Sequence, residues 1–155
     1  MNRLLQAQDC PAAIAHVAGG KEVPQISGTV SFFTHPEGTL VVADIYGLPI
    51  PEGPCISPVF GFHIHEGAAC TGPDFEDTGG HFNPEDCLHP HHAGDLPPLF
   101  GNKNGHAYLA VLTDRFSVPD IIGRTAVIHQ DPDDFMTQPS GHSGMKMACG
   151  VIRAI

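Results

Sequence analysis

The chain has 155 residues, enough for one domain with a sizeable core, and its 41% hydrophobic and 15% charged residues exclude a disordered polypeptide. Its 18 glycines and 15 prolines argue against a helical bundle and for a loop-rich, mostly β fold. A formal charge of −10 excludes a basic surface for nucleic acid, and no apolar run approaches the ~18 residues of a membrane span. The predicted elements follow in chain order as short apolar runs closed by turn signals. The first covers Ala12 to Ala18 and ends at Gly19-Gly20. Ile26 to Thr34 and Thr39 to Tyr46 come next, separated by Pro36-Glu37-Gly38. Pro49, Pro51, Gly53 and Pro54 mark an irregular insertion, after which Val59 to His65 reads as one strand. From about 66 to 104 the chain is rich in Gly, Pro, Asp and His, and a loop of this length in a compact domain points to function. His106 to Leu112, a short strand near Phe116, Arg124 to His129 and Met147 to Ile155 complete the set, with a second loop over 130–146. No segment has a helical period, so the expectation is one all-β domain over 1–155. Its architecture would be a sandwich or barrel of about eight antiparallel strands.

Charge is unevenly distributed. Between Lys21 and Lys103 there is no Lys or Arg, yet the segment holds eleven carboxylates and seven of the eleven histidines. A bound metal is one way to balance such a segment. His63 and His65 lie two apart on a strand, so both rings point the same way and can reach one ion. His81, His89, His92 and Asp95 follow in the long loop, and three imidazoles with one carboxylate are a donor set that tetrahedral zinc accepts. His129 ends a later strand and adds a further imidazole. Each of these groups alone is also compatible with ordinary or solvated histidines.

Taken together, the motifs carry a resemblance. Gly61-Phe62-His63-Ile64-His65-Glu66-Gly67 resembles the copper-binding strand of copper/zinc superoxide dismutases. Gly80-His81-Phe82-Asn83-Pro84 and His92-Ala93-Gly94-Asp95-Leu96 are similar to the start and end of that family's zinc loop. Ile122 to His129 resembles its later copper strand, and Ala148-Cys149-Gly150-Val151-Ile152 its last strand. The resemblance runs from about residue 12 to the C-terminus, and the five motifs within it fall in order. The short Glu66-to-Cys70 spacing and Gly94-Asp95-Leu96-Pro97 look more bacterial than animal.

The resemblance implies a Greek-key β-barrel, copper and zinc as cofactors, and dismutation of superoxide to dioxygen and hydrogen peroxide. Copper would be bound by His63, His65, His81 and His129, and zinc by His81, His89, His92 and Asp95, with His81 shared. His91 adjoins the set, but His92 has the His-x-x-Asp spacing to Asp95. His81 would also carry a proton in the redox cycle. Cys70 and Cys149 stand at the positions of the family's intrachain disulfide, and Asp133 at that of a carboxylate linking a copper histidine to a zinc histidine.

Departures are equally legible. Lys146 occupies the place of an arginine beside copper, keeping the charge and losing the planar fork. Asp131, Asp133 and Asp134 make the second loop acidic, with Lys146 its only Lys or Arg, so local steering of an anionic substrate is not expected from it. Cys10, Cys55 and Cys87 have no place in the shared motifs. Cys87 lies near enough to the implied site to be a ligand, a disulfide partner or a free thiol. The alternative to an enzyme is a dismutase-like copper/zinc-binding protein with little turnover. The expected substrate partner is superoxide, with no nucleic acid and no membrane. A homodimer and a copper-delivery partner are compatible with the resemblance. The lack of a leader favours a cytoplasmic location, and a disulfide favours a periplasmic or extracellular one if the chain is a mature form.

Overall fold

The computed structural model describes residues 10–54 and 58–155. Among them are nine strands: β1 (Ala13–Gly19), β2 (Ser27–His35), β3 (Gly38–Tyr46), β4 (Val59–Phe60), β5 (Phe62–His65), β6 (Leu99–Phe100), β7 (Ala107–Thr113), β8 (Thr125–His129) and β9 (Lys146–Ala154). Seven form one antiparallel curled sheet in the order β5-β8-β9-β1-β2-β3-β7, and β4 pairs only with β6. Alternation places Ala13, Ala15, Val30, Phe32, Val41, Ala43, Ile64, Ala126 and Ile152 in one buried apolar core. No helix of the described residues is long and apolar enough to cross a membrane.

Three expectations need correction. The run from Val59 to His65 is two strands in different sheets, because the chain changes partner at Gly61. No room exists there for a side chain: a Cβ at Gly61 would press on Ser143. There is no strand at Phe116. Its aromatic ring is buried, and the chain turns next into a one-turn helix, α1 (Val118–Ile121). The hydroxyl of Ser117 and the carboxylate of Asp120 close a capping box at its start, and four residues are too few to display a period. Leu99–Phe100, inside the stretch read as loop, is β6.

Strand β5 is the edge of the sheet, and an edge exposes unpaired backbone groups. The long loop covers it. Phe82 N–H donates to Ile64 O at 2.8 Å, Ile64 N–H to Gly94 O at 2.9 Å, and Glu66 N–H to Gly80 O at 2.9 Å. These bonds create two isolated bridges, His65 with His81 and His63 with Asp95. Covering the edge therefore also brings the loop's donors to the histidine strand.

Candidate metal centre

All four residues of β5 are buried, for two different reasons. Phe62 and Ile64 enter the apolar core, while His63 and His65 face the covering loops. Register sets His63 opposite Val127 and His65 opposite Thr125, so alternation along β8 turns His129 to the same face. Lys146 reaches that face through a β-bulge. His129 pairs with Lys146 rather than Met147, because β9 carries one extra residue there.

Two donor clusters result, each with ligand atoms within 4.8 Å of one another: His63, His65, His81 and His129, and His81, His89, His92 and Asp95. All of these residues are buried, and His81 belongs to both. The first group is held by rings in contact, with the His63 and His81 centroids 3.9 Å apart and the His65 and His129 Nε2 atoms 3.1 Å apart.

Hydrogen bonds decide which nitrogen of each ring is left over. Asp133 accepts from His63 Nε2 at 2.7 Å through Oδ2 and from His89 Nε2 at 2.8 Å through Oδ1. His65 Nδ1 donates to Gly79 O at 2.9 Å, and His129 Nδ1 to Gly144 O at 3.3 Å. The lone pairs that remain are His63 Nδ1, His65 Nε2, His89 Nδ1 and His129 Nε2. His81 Nδ1 lies 2.7 Å from Asp95 Oδ1 and 3.3 Å from His92 Nδ1, which leaves Nε2 facing the first cluster. Buried ring nitrogens normally find a partner. Yet His63 Nδ1, His81 Nε2 and His89 Nδ1 have no hydrogen bond. Unpaired lone pairs converging from several elements are what a cation requires, so the residues fit metal at both clusters.

Electrostatics agree. Burial pushes His63 down to about 4, although Asp133 works against it, and pushes His129 down to about 3. Burial also holds His65 well below the usual histidine value and lowers His92. These rings are neutral at pH 7 and available as ligands. Burial opposes ionisation of Asp95 and Asp133 too. For Asp95 the His81 hydrogen bond and the neighbouring rings outweigh it. For Asp133 the bonds from His63, Phe135 N–H and His89 do so, and both carboxylates stay below their usual range.

Cys70 and Cys149 form a disulfide that ties the long loop to β9. Lys146 Nζ donates to Gly79 O at 3.0 Å and Phe75 O at 3.5 Å, and burial lowers its pKa. Cys87 is an exposed free thiol outside both clusters, as is Cys10, while Cys55 lies outside the described residues. His91 and His142 are exposed. Two further residues support the site without any signal in the sequence. Arg115 Nη1 donates to the carbonyls of Pro90, His92 and Asp95 at 3.0, 3.2 and 3.4 Å. Gln138 pairs with the backbone of His89. Both act on partners distant in sequence, and no local spacing announces them.

Comparison with known proteins agrees with this geometry. The family model described as copper/zinc superoxide dismutase matches residues 26–152. The chain is 36% identical over 152 residues to a copper/zinc superoxide dismutase of Deinococcus radiodurans, covering 84% of this chain and 79% of that protein. It is 34% identical over 155 residues to one from Legionella pneumophila, covering 95% and 88%. The crystal structure of a SOD-like protein from Bacillus subtilis superposes with a TM-score of 0.72 at 31% identity, covering 88% of this chain and 95% of that one.

Proposed function

The chain belongs to the copper/zinc superoxide dismutase family, and from that premise we propose that it turns over superoxide at the histidine pair of clusters. The observation that carries this reading is the set of buried ring nitrogens without a hydrogen bond at His63, His81 and His89, the last facing the Asp95 carboxylate at 3.0 Å. Copper would be held by His63 Nδ1, His65 Nε2, His81 Nε2 and His129 Nε2. Zinc would be held by His81 Nδ1, His89 Nδ1, His92 Nδ1 and the Asp95 carboxylate. When bound, copper supplies the alternating one-electron chemistry that converts superoxide to dioxygen and hydrogen peroxide, and zinc a fixed charge without redox change.

The protein's own groups do the rest. Asp133 fixes the tautomers of His63 and His89 at once, so neither ring can turn its N–H toward the metals. His81 faces both clusters through its two nitrogens, and its Nε2 is the atom at which a proton can be held between turnovers. Lys146 spends two of its three N–H groups on carbonyls and keeps one for an anion. Its ammonium provides attraction without the two-pronged docking of a guanidinium.

Lys146 and the SOD-like neighbour favour a second reading, a copper/zinc-binding protein with little turnover. Metal analysis followed by a superoxide assay on reconstituted protein separates the two. Stoichiometric copper and zinc with no dismutation would leave only the second. His81→Ala should disturb both metals and His65→Ala chiefly copper. Normal metal binding by both variants would overturn the ligand assignment.

A further inference from the structure

Gln138 stands on the second loop, 49 residues from His89, yet its side-chain amide pairs with both backbone groups of that residue. Nε2 donates to His89 O at 2.7 Å, and His89 N–H donates to Oε1 at 2.9 Å. The pairing is complementary in one orientation only, since the reversed amide would set donor against donor and acceptor against acceptor. Five residues earlier in the chain, Asp133 Oδ1 grips the ring of the same histidine at 2.8 Å. The loop thus holds His89 by backbone and ring together, with its Nδ1 free of hydrogen bonds and 3.0 Å from Asp95 Oδ2.

The other bonds of this part of the loop stay within it: Asp134 N–H donates to Gly141 O, Gly141 N–H to Thr137 O and Phe135 N–H to Asp133 Oδ1. Asp134, Phe135, Met136, Thr137 and Gln138 are all exposed, and the carboxylate of Asp134 bonds only within the turn, to Met136 and Thr137. The same loop supplies Gly144 O to His129 and ends in Lys146.

We propose that Gln138 is a positioning residue that couples zinc at His89 to the order of the loop 130–146. Its amide fixes the backbone from which the His89 ring projects. Without it, only a fraction of molecules would present Nδ1 toward His81, His92 and Asp95, and apparent zinc affinity would fall by that fraction. Coupling is reciprocal, so zinc in turn stabilises the loop. The inference rests on the zinc assignment above.

The test uses metal-free full-length protein and the variants Gln138→Leu, which removes both bonds, and Gln138→Glu, which sets a carboxylate oxygen against the His89 carbonyl. Zinc affinity is measured by competition with a chromophoric chelator, copper affinity separately, and amide hydrogen exchange over 133–143 with and without zinc. The expected result is a zinc affinity lower by roughly 10- to 100-fold in both variants. Copper affinity should fall by less than zinc affinity, because the loop touches His63 and His129 through Asp133 and Gly144 and not through Gln138, and zinc-induced protection of the loop should be lost. Zinc affinity within about twofold of the parent, with the loop still protected, would overturn the proposal. Failure of the parent to bind zinc would instead overturn the metal assignment. Because Gln138 is exposed, both variants should fold, and either alone is decisive.

Discussion

Lys146 and His65 donate to one acceptor: the carbonyl oxygen of Gly79 lies 3.0 Å from Lys146 Nζ and 2.9 Å from His65 Nδ1. The cation is thereby tied to the tautomer of a proposed copper ligand, through a loop that the Cys70–Cys149 disulfide anchors. Lys146→Met should lower kcat/KM for superoxide by about tenfold, through loss of the positive charge at the site. Metal content should not change. Lys146→Arg should retain or raise activity, since a guanidinium restores bidentate docking. Equal activity of the methionine variant would remove Lys146 from the substrate path.

Stability of the metal-free protein should fall with acid. His63 and His129 have folded pKa values of about 4 and about 3, below the unfolded value of about 6.5. A depressed pKa means that the unfolded chain binds protons more readily, so the stabilisation is complete above about pH 6.5 and declines as pH falls toward 4. Each ring contributes a slope on the order of 1 kcal/mol per pH unit within that window. Thermal melts of metal-free protein from pH 7 to 4 check this, and a flat Tm would show that the rings are not buried neutral.

Removal of the disulfide should destabilise the fold. The bridge spans 79 residues, and restricting a loop of that length in the unfolded chain is worth about 4 kcal/mol in the entropy model. Denaturant titration of Cys149→Ser against the parent, both metal-free, measures the loss.

Gly141 should not tolerate a side chain. It has a φ of 72°, and a Cβ there would collide with Asp133 Oδ1 and His89 Nε2. Gly141→Ala should weaken zinc binding by at least about tenfold while leaving the β-sheet signal intact, because it displaces the carboxylate that orients His89. Chelator competition and circular dichroism together give the answer.

Salt should not slow the reaction. The chain carries −10 overall, so repulsion of an anionic substrate is screened as ionic strength rises. The expected kcat/KM is flat or increasing between about 10 and 200 mM salt. A steep decline would reveal attractive steering by cations.

The local part of this protein was legible in its residues. Alternation along a strand puts His63 and His65 on one face whatever the rest of the chain does, and the motif order around His81, His92, Asp95 and His129 carried the family and the barrel. Glycine and proline spacing located most of the strands to within a residue. Tertiary structure alone decided what joins distant segments. The loop covers the edge of β5, setting His81 beside His65 and Asp95 beside His63. Asp133, whose linking role the resemblance implied without naming its two histidines, spans 70 residues to His63 and 44 to His89, and Gln138 reaches the His89 backbone across 49. The bulge at Met147 depends on pairing with β8, and without it alternation would turn Lys146 toward the core. Periodicity describes a strand's own geometry, whereas the partner of a carboxylate or an amide is chosen by which chain segments the fold packs against it.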